Sequence, residues 1–397
     1  MSVATFTHGP LGLERRNKNA WMMDFGLIIS VVALLSLGLV MVGSASVSIA
    51  EQKYGDPFYF LWRQLLFISI GGICALIVAK IPLNIWEEAG PVLVILSMLM
   101  LVLVFIPGLG RTVNGSTRWL AVGSFSVQPS EFVKLFTLVY LAGYLVRHHA
   151  AVISSASGFI RPLLLMLVLV TLLLLEPDYG AAVVLLTTAM GMMWLAGVRI
   201  LQFLLLIIAA AIGLALLALA SPYRVERLTT FLNPWADPFN SGFQLTQALI
   251  AFGRGEIFGV GLGASVQKLF YLPEAHTDFL FAVLAEELGL VGVLVVFTLF
   301  AILVFRTLAI ARLAELRDRP FAAYLCYGIG LWIGLQVVVN LGVNMGILPT
   351  KGLTLPLMSY GGSSLLIMMI AIAIVIRTDY ETRKDDRKVQ RNGSLSW

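Results

Sequence analysis

Long apolar segments without charge are the feature of this 397-residue chain that most restricts its fold. No residue from Phe25 to Ala50 is charged, and similar segments recur as far as Ile376. About 20 apolar residues are enough for a helix to cross the hydrocarbon core of a bilayer. Only 12% of the residues are charged and 59% are hydrophobic, whereas soluble domains are about 25% charged. The chain is therefore expected to be an integral membrane protein.

The apolar segments predict an all-α bundle of ten transmembrane helices. Backbone groups in lipid must be hydrogen-bonded within the protein, which favours helices. The short alternating segments of a membrane barrel are lacking. The predicted spans are Phe25–Ala50, Phe60–Ala79, Ala89–Ile106, Glu131–Val146, Ile160–Leu175, Tyr179–Val198, Ile200–Ala220, Asp278–Phe305, Phe321–Gly346 and Met358–Ile376.

The distribution of basic residues predicts the orientation of the bundle. Of the 27 lysine and arginine residues, 17 fall on the side that carries both termini. Because these residues favour the cytoplasm, residues 1–20 and 378–397 are expected to be cytoplasmic tails that flank a membrane domain of residues 21–377. The second tail is hydrophilic and is expected to be disordered.

Two loops on the opposite side stand out. Pro107–Pro129 carries Arg111, Arg118 and Trp119, and residues 221–277 form a large extracytoplasmic loop between the seventh and eighth helices. Loops of this length are usually functional or disordered. The aromatic residues of the longer loop predict that it folds back onto the bundle.

A carboxylate, Asp278, stands where the long loop enters the eighth helix, shortly after Lys268, Glu274 and His276. Asp at a helix start commonly caps the first free backbone amides. A partly desolvated carboxylate at a membrane interface can instead have a raised pKa and act as a general base. The residues alone support both interpretations equally.

Two further acids, Glu286 and Glu287, lie deeper in the eighth helix. With 3.6 residues per turn, they are about 80° and about 180° around the helix from Asp278. They cannot both face the same cavity as Asp278. Glu287 is predicted to form a structural pair with a basic residue.

Other polar residues in or near the spans have a structural and a functional interpretation. Glu131 and Lys134 share a helix face, as a local ion pair or with Lys134 offered to a phosphate; Arg63 is interpreted in the same way. Asp178, after Pro177, is predicted to cap the next helix. The stripe of Gln336, Asn340 and Asn344 predicts packing between helices. Ser359–Ser364 permits close helix approach, and its hydroxyls could line a cavity. The glycine-rich segment Gly253–Gly263 matches no nucleotide-binding motif.

Three strings, Gln128–Glu131, Tyr271–Phe279 and Pro356–Ser364, together resemble the SEDS family (shape, elongation, division and sporulation). These are bacterial membrane glycosyltransferases that polymerise peptidoglycan. The resemblance extends from the first helix to the tenth. Within the family, Asn233–Pro238 and Gly242–Lys268 are more similar to the cell-division member than to the elongation member.

The resemblance implies a reaction and a site. The substrate is lipid II, and Asp278 fills the position of the family's catalytic acidic residue. The implied role of its carboxylate is that of a general base, which accepts the proton of an acceptor 4-hydroxyl while polyprenyl diphosphate leaves. The substrate-binding candidates are Arg63, Arg118, Trp119, Glu131, Lys134, Asp178, Lys268, His276 and Ser363. No protein-held metal or tightly bound cofactor is expected, which leaves open a divalent cation, Mg²⁺ or Mn²⁺, at the diphosphate.

The resemblance also implies partners and a location. A class B penicillin-binding protein transpeptidase, other septal division proteins and membrane lipid are expected, and nucleic acid is not. The location is the bacterial cytoplasmic (inner) membrane, at the division septum. The alternatives are a lipid II flippase and a non-catalytic scaffold of the division machinery. A flippase needs a polar path across the bilayer, whereas the charges here concentrate in the outer half, which favours the enzyme.

Overall fold

The computed structural model describes residues 23–113, 116–123, 125–198, 208, 212–213, 231, 233–240, 242–349 and 352–393. Within them the chain forms α-helices joined mostly by short connections, with a 3₁₀ turn at Pro234–Ala236. The helices are α1 (Phe25–Tyr54), α2 (Tyr59–Val78), α3 (Leu83–Leu103), α4 (Pro129–Arg147), α5 (His149–Ser154), α6 (Ala156–Leu175), α7 (Tyr179–Leu195), α8 (Phe243–Gly255), α9 (Leu280–Leu316), α10 (Pro320–Asn344) and α11 (Gly362–Gly393).

Eight of the described helices are long and apolar enough to cross a membrane, namely α1, α2, α3, α4, α6, α9, α10 and α11. They correspond to eight of the predicted spans. The apolar helix α7 corresponds to a ninth, Tyr179–Val198. The span predicted over Ile200–Ala220 lies mostly outside the described residues, as do residues 221–230, 232 and 241 of the loop predicted over residues 221–277.

Three helices form the centre of the bundle. The spanning windows of α4, α11 and α10 are 78%, 72% and 61% buried, whereas that of α2 is 17% buried. The outer helices expose large apolar side chains such as Leu76 and Val92, as expected for surfaces in contact with lipid. Residues that contribute to a site between helices therefore come mainly from the ends of the central helices.

The loop between α3 and α4 contains a small sheet, which the sequence did not predict. Its strands β1 (Gly110–Val113), β2 (Ser116–Val122) and β3 (Phe125–Val127) are antiparallel in the order β1-β2-β3. Arg111 lies opposite Trp119 in the register. The strands are rich in β-branched residues, but segments of three to seven residues leave too little alternation for a sequence pattern to reveal.

The C-terminal segment is helical where disorder was expected from residue 378. Helix α11 continues to Gly393, and Asp379 is buried in it. The Glu381 carboxylate pairs with Arg377 at 2.7 Å and with Arg319, which precedes α10, at 3.2 Å. The hydrophilic residues at this end of α11 therefore include ion-pair partners that fix the helix to the bundle.

Helix α9 is broken at Gly289, whose φ of 63° is left-handed. The segment after α8 is hydrogen-bonded to the break. The amide of Val260 donates to the Glu286 carbonyl at 3.0 Å, and the amide of Leu290 donates to the Glu256 carbonyl at 3.0 Å. A Cβ at position 289 would collide with the backbone of this segment, which explains the glycine.

Candidate active site

A cavity of about 730 Å³ opens at one end of the bundle. The cavity is lined by residues at or near the N-termini of five helices, α2, α4, α7, α9 and α11. All five helices therefore begin at this end of the bundle. The sheet forms part of the same wall. The charged and polar residues that line the cavity are Arg63, Arg111, Ser116, Arg118, Ser126, Gln128, Glu131, Asp178, Gln244, Glu274, His276, Thr277, Asp278, Thr354, Ser363 and Ser364.

Asp278 is held by its backbone rather than by its side chain. Its carbonyl oxygen accepts hydrogen bonds from the Nδ2 atoms of Asn340 and Asn344, both at 3.0 Å. Helix α9 starts later, with Phe279 as its N-cap and no side-chain cap bond. Among the described residues, no hydrogen bond to the Asp278 carboxylate is formed. The capping interpretation is therefore wrong, and the half-buried carboxylate is left to face the cavity.

The surroundings of the Asp278 carboxylate give it an unusual pKa. Burial raises its pKa from the ordinary 3.8 to about 7, the nearby Glu274 carboxylate adds to the rise, and Arg118 opposes it. A carboxylate with a pKa near neutral pH is suited to general base catalysis. Gly352 passes close by, where a Cβ would come to 3.0 Å from Oδ2.

His276 forms part of an aromatic wall beside Asp278. Its ring lies 4.5 Å from that of Phe60 and 5.7 Å from that of Tyr360, centroid to centroid. Its carbonyl accepts the Tyr360 amide at 3.0 Å. Burial lowers the pKa of His276 to about 4, so the imidazole is neutral at physiological pH.

Three arginines supply positive charge to the cavity. Arg118, which precedes Trp119 in β2, donates to the carbonyl oxygens of Glu176 at 3.1 Å and Pro177 at 2.7 Å. Arg63 donates to the Tyr59 hydroxyl at 2.7 Å. The cavity is lined by three of the substrate-binding candidates chosen from the sequence, Arg63, Arg118 and Trp119.

Arg111 was not among the site residues chosen from the sequence, and it also lines the cavity. Its position in the same conspicuous loop as Arg118 was the available signal. What was missing was the sheet, whose register brings Arg111 opposite Trp119.

Gln128 joins the beginnings of three helices beside the cavity. Its backbone amide donates to Ser363 Oγ at 3.0 Å, and its side-chain Nε2 donates to Asp178 Oδ2 at 3.3 Å. Asp178 also caps α7 by accepting the Ala181 amide at 3.1 Å, as predicted. Asp178, Ser363 and the neighbouring Glu131 all line the cavity, where the sequence placed them.

Lys134 lies below the cavity and does not line it. Its ammonium group is 2.9 Å from Glu131 Oε1 and 3.1 Å from Gln336 Oε1, and it lies 5.2 Å from the ring of Trp332. The side chain is 1% exposed. The predicted local ion pair is therefore formed, and the offer of Lys134 to a phosphate stays a prediction.

Lys268 also lies outside the cavity, and its assignment to the substrate stays a prediction. Its ammonium group pairs with Glu287 at 2.8 Å and donates to Ser44 Oγ at 3.0 Å. This contact confirms that Glu287 pairs with a basic residue. The sequence alone did not identify Lys268 as that residue. Lys268 and Glu287 are 19 positions apart, and Lys268 is not on the helix that carries Glu287.

Metal ligation receives no support from the described part of the chain. No three histidine, cysteine, aspartate or glutamate side chains there are close enough to hold a metal ion. In the cavity, one oxygen of Asp178 caps α7, and Glu131 is paired with Lys134. The donor set of these residues does not fit a resident metal.

The fold and the cavity define a polytopic membrane protein with a charged pocket that contains one carboxylate of raised pKa. The chain belongs to the cell cycle protein family of FtsW, RodA and SpoVE, whose sequence model matches residues 25–384. This membership confirms the resemblance to the SEDS family.

Similar chains cover nearly the whole sequence. The "probable peptidoglycan glycosyltransferase FtsW" of Nitrosococcus halophilus is 58% identical over 360 residues, which are 91% of this chain and 93% of that one. The protein of the same name from Thioalkalivibrio sulfidiphilus is 55% identical over 371 residues, 94% of this chain and 93% of that one. The similarity to the cell-division member FtsW is thereby confirmed.

Solved structures share the fold. A chain from a structure described as "Structural coordination of polymerization and crosslinking by a peptidoglycan synthase complex" has a TM-score of 0.74 and 31% identity, covering 91% of this chain and 98% of that one. The rod shape determining protein RodA of Thermus thermophilus has a TM-score of 0.66 and 29% identity, covering 91% and 98%.

Proposed function

We propose that this chain is a peptidoglycan glycosyltransferase that polymerises lipid II into glycan strands during cell division. The observation that carries the proposal is the Asp278 carboxylate, which faces a cavity lined by three arginines and has a pKa of about 7. The names of the similar chains, probable peptidoglycan glycosyltransferase FtsW, support the class of reaction.

Asp278 acts as the general base. Its carboxylate takes the proton of the 4-hydroxyl of an acceptor sugar, and that oxygen attacks the anomeric carbon of a lipid-linked donor sugar. A new C–O bond forms at the anomeric carbon, while the bond from this carbon to the phosphate oxygen breaks. The bonding electrons leave with polyprenyl diphosphate. A positioned general base contributes about 10²–10⁴-fold to such a step.

The leaving diphosphate needs positive charge, and the cavity offers two sources of it. Arg63, Arg111 and Arg118 line the walls, and guanidinium groups bind phosphate oxygens in bidentate fashion. The N-termini of five helices also face this end, and their free amides and dipoles favour anions. Mg²⁺ or Mn²⁺, if one takes part, would supply further positive charge at the diphosphate.

The cavity faces the extracytoplasmic side in this proposal, and both termini are cytoplasmic. The opposite end of the bundle carries Arg147, the last residue of α4, and Lys80 and Arg317, which follow α2 and α9. Basic residues of short loops favour the cytoplasm. The enzyme would then work in the bacterial inner membrane at the division septum, where the head groups of lipid II face the cell wall.

A class B penicillin-binding protein is the expected partner, together with other septal division proteins. The structural neighbour that belongs to a complex coordinating polymerization and crosslinking supports this expectation. Polymerised strands would pass from the cavity of one protein to the transpeptidase of the other.

A lipid II flippase is the competing function, and the packing below the cavity argues against it. Lys134 is buried there between Glu131, Gln336 and Trp332. Its hydrogen bonds join α4 to α10. A polar head group would have to break this buried pair in order to cross, whereas a polymerase leaves it intact.

The test compares Asp278→Asn with Asp56→Asn in full-length protein purified with its transpeptidase partner. Asp56 lies at the same end of the bundle, outside the cavity, where it accepts the Phe58 amide. We expect Asp278→Asn to lower the rate of polymer formation from lipid II by at least about 10²-fold, and Asp56→Asn to retain it. Polymerisation by Asp278→Asn at the wild-type rate would overturn the proposal. Translocation of lipid II as the sole activity of the wild type would favour the flippase.

A further inference from the structure

Two neighbouring carboxylates, Glu286 and Glu287, lie outside the cavity on the first turns of α9. Both residues are 0% exposed. They point in different directions, and each has its own hydrogen-bond donors. Both hold the segment Ser265–Lys268, which leads into the loop that carries His276 and Asp278.

Glu286 binds the start of this segment. It accepts hydrogen bonds from the amides of Val266 at 3.1 Å and Gln267 at 3.3 Å, and from the hydroxyl of Ser265. The guanidinium of Arg254 is 3.2 Å away, and its side chain is 44% exposed. Glu286 therefore keeps three donors even without Arg254.

Glu287 binds the end of the segment through a buried ion pair. Its carboxylate is 2.8 Å from Lys268 Nζ, and the exposed fractions of the two side chains are 0% and 8%. Ser44, on α1, donates to both carboxylate oxygens at 2.8 Å and accepts from Lys268 at 3.0 Å. Because a buried charge without its partner is strongly unfavourable, this contact firmly ties α1, the segment and α9 together.

The contact closes one end of the loop, and different bonds close the other. The carbonyl of Asp278 is held by Asn340 and Asn344, and that of His276 is held by the Tyr360 amide. The loop between these contacts, residues 269–277, is therefore fixed at both ends. The end at Asp278 is fixed by neutral hydrogen bonds, whereas the end at Lys268 is fixed by a buried ion pair.

We propose that Lys268 and Glu287, bridged by Ser44, are positioning residues for the general base. The buried ion pair fixes the loop that carries Asp278 and so sets where its carboxylate meets the acceptor hydroxyl. Neither side chain lines the cavity, so the pair acts through the loop and not on the substrate. This inference rests on the proposed function, since it concerns the same carboxylate.

The first test compares Lys268→Met with Arg254→Met in the purified complex with lipid II. Both variants remove a cation that pairs with a glutamate of α9, but only Lys268 ties the loop to α1. A misplaced catalytic group lowers the rate by up to about 10²-fold. We expect Lys268→Met to lower kcat by at least about tenfold with KM changed less than about twofold, Lys268→Arg to recover most of kcat, and Arg254→Met to resemble the wild type. A wild-type kcat for Lys268→Met, or equal losses in the two methionine variants, would overturn the inference.

The second test does not depend on activity. Hydrogen–deuterium exchange follows peptides covering residues 265–278 in Lys268→Met and in the milder Glu287→Gln, which keeps an acceptor for Ser44. We expect faster exchange in these peptides, with protection in α10 unchanged. Unchanged exchange at residues 265–278 would contradict the inference. Lack of polymerisation by the wild type would refute the proposed function, while the exchange result would still decide whether the pair holds the loop.

Discussion

The proposed polymerisation should depend on pH through the surroundings of Asp278. Burial is the main cause that raises its pKa to about 7, with Glu274 as the second cause. A general base must be ionised to accept a proton. The rate is therefore expected to be low below pH 6 and to rise through pH 7. With an ordinary pKa, the carboxylate would be ionised over this whole range, and the rate would not change with pH.

The size of the rise can be worked out from this pKa. A group with a pKa of about 7 is ionised to about one tenth at pH 6 and about nine tenths at pH 8. We expect kcat/KM for lipid II, measured with the purified complex, to rise about tenfold between these values. This ratio reports ionisation in the free enzyme, which is the state that the structure represents.

Two variants assign the rise to Asp278. Glu274→Gln removes a negative charge that raises the pKa of Asp278, so the midpoint is expected to move to lower pH. Glu176→Gln removes the other cavity-end carboxyl whose pKa is near neutral, raised to about 8 chiefly by burial, and is expected to leave the midpoint unchanged. His276 titrates near pH 4, below the range of the experiment. A constant kcat/KM from pH 6 to pH 8, or a midpoint that follows Glu176, would refute Asp278 as the base.

Three further predictions concern stability and positioning, each checked by thermal unfolding. The folded-state pKa of Glu176 exceeds its ordinary 4.5. Ionisation of this side chain therefore lowers the stability of the fold as pH rises from about 4.5 to about 8. Glu176→Gln should raise Tm relative to the wild type at pH 8 and not at pH 4. Asn344→Ala removes a bond to the Asp278 carbonyl and should cost about 1–3 kcal/mol, with a lower kcat. Lys134→Met leaves Glu131 buried without its partner and should cost about 3–5 kcal/mol, which Glu131→Gln in the same chain should partly restore.

The spans were predictable from the sequence because each depends only on local composition. Helices α9 and α10 follow the apolar segments from which they were predicted. The sheet at Gly110–Val127 was missed because its strands are too short to show a recognisable alternation of polar and apolar residues. Local patterns therefore predicted the membrane helices better than the structure of the connecting loops.

Side-chain partners were harder to predict than positions along a helix. The spacing of Asn340 and Asn344 predicted one polar face, but their partner, the Asp278 carbonyl, is more than 60 residues away in sequence. Lys134 and Lys268 were both assigned to the substrate as sources of positive charge for the leaving diphosphate. Lys134 pairs with Glu131 on its own helix, one of the two alternatives that the spacing offered, whereas only the packing of α9 against the segment before it brings Glu287 to Lys268.

The way in which Asp278 is held explains how a fixed residue can remain basic. A hydrogen bond donated to a carboxylate stabilises its charged form and lowers its pKa, so direct fixation of the side chain would weaken it as a base. Here the amides of Asn340 and Asn344 bind the backbone carbonyl instead, and burial keeps the pKa of the carboxylate near 7. The polar stripe of α10 therefore fixes the residue, while the side chain keeps the proton affinity that the proposed reaction needs.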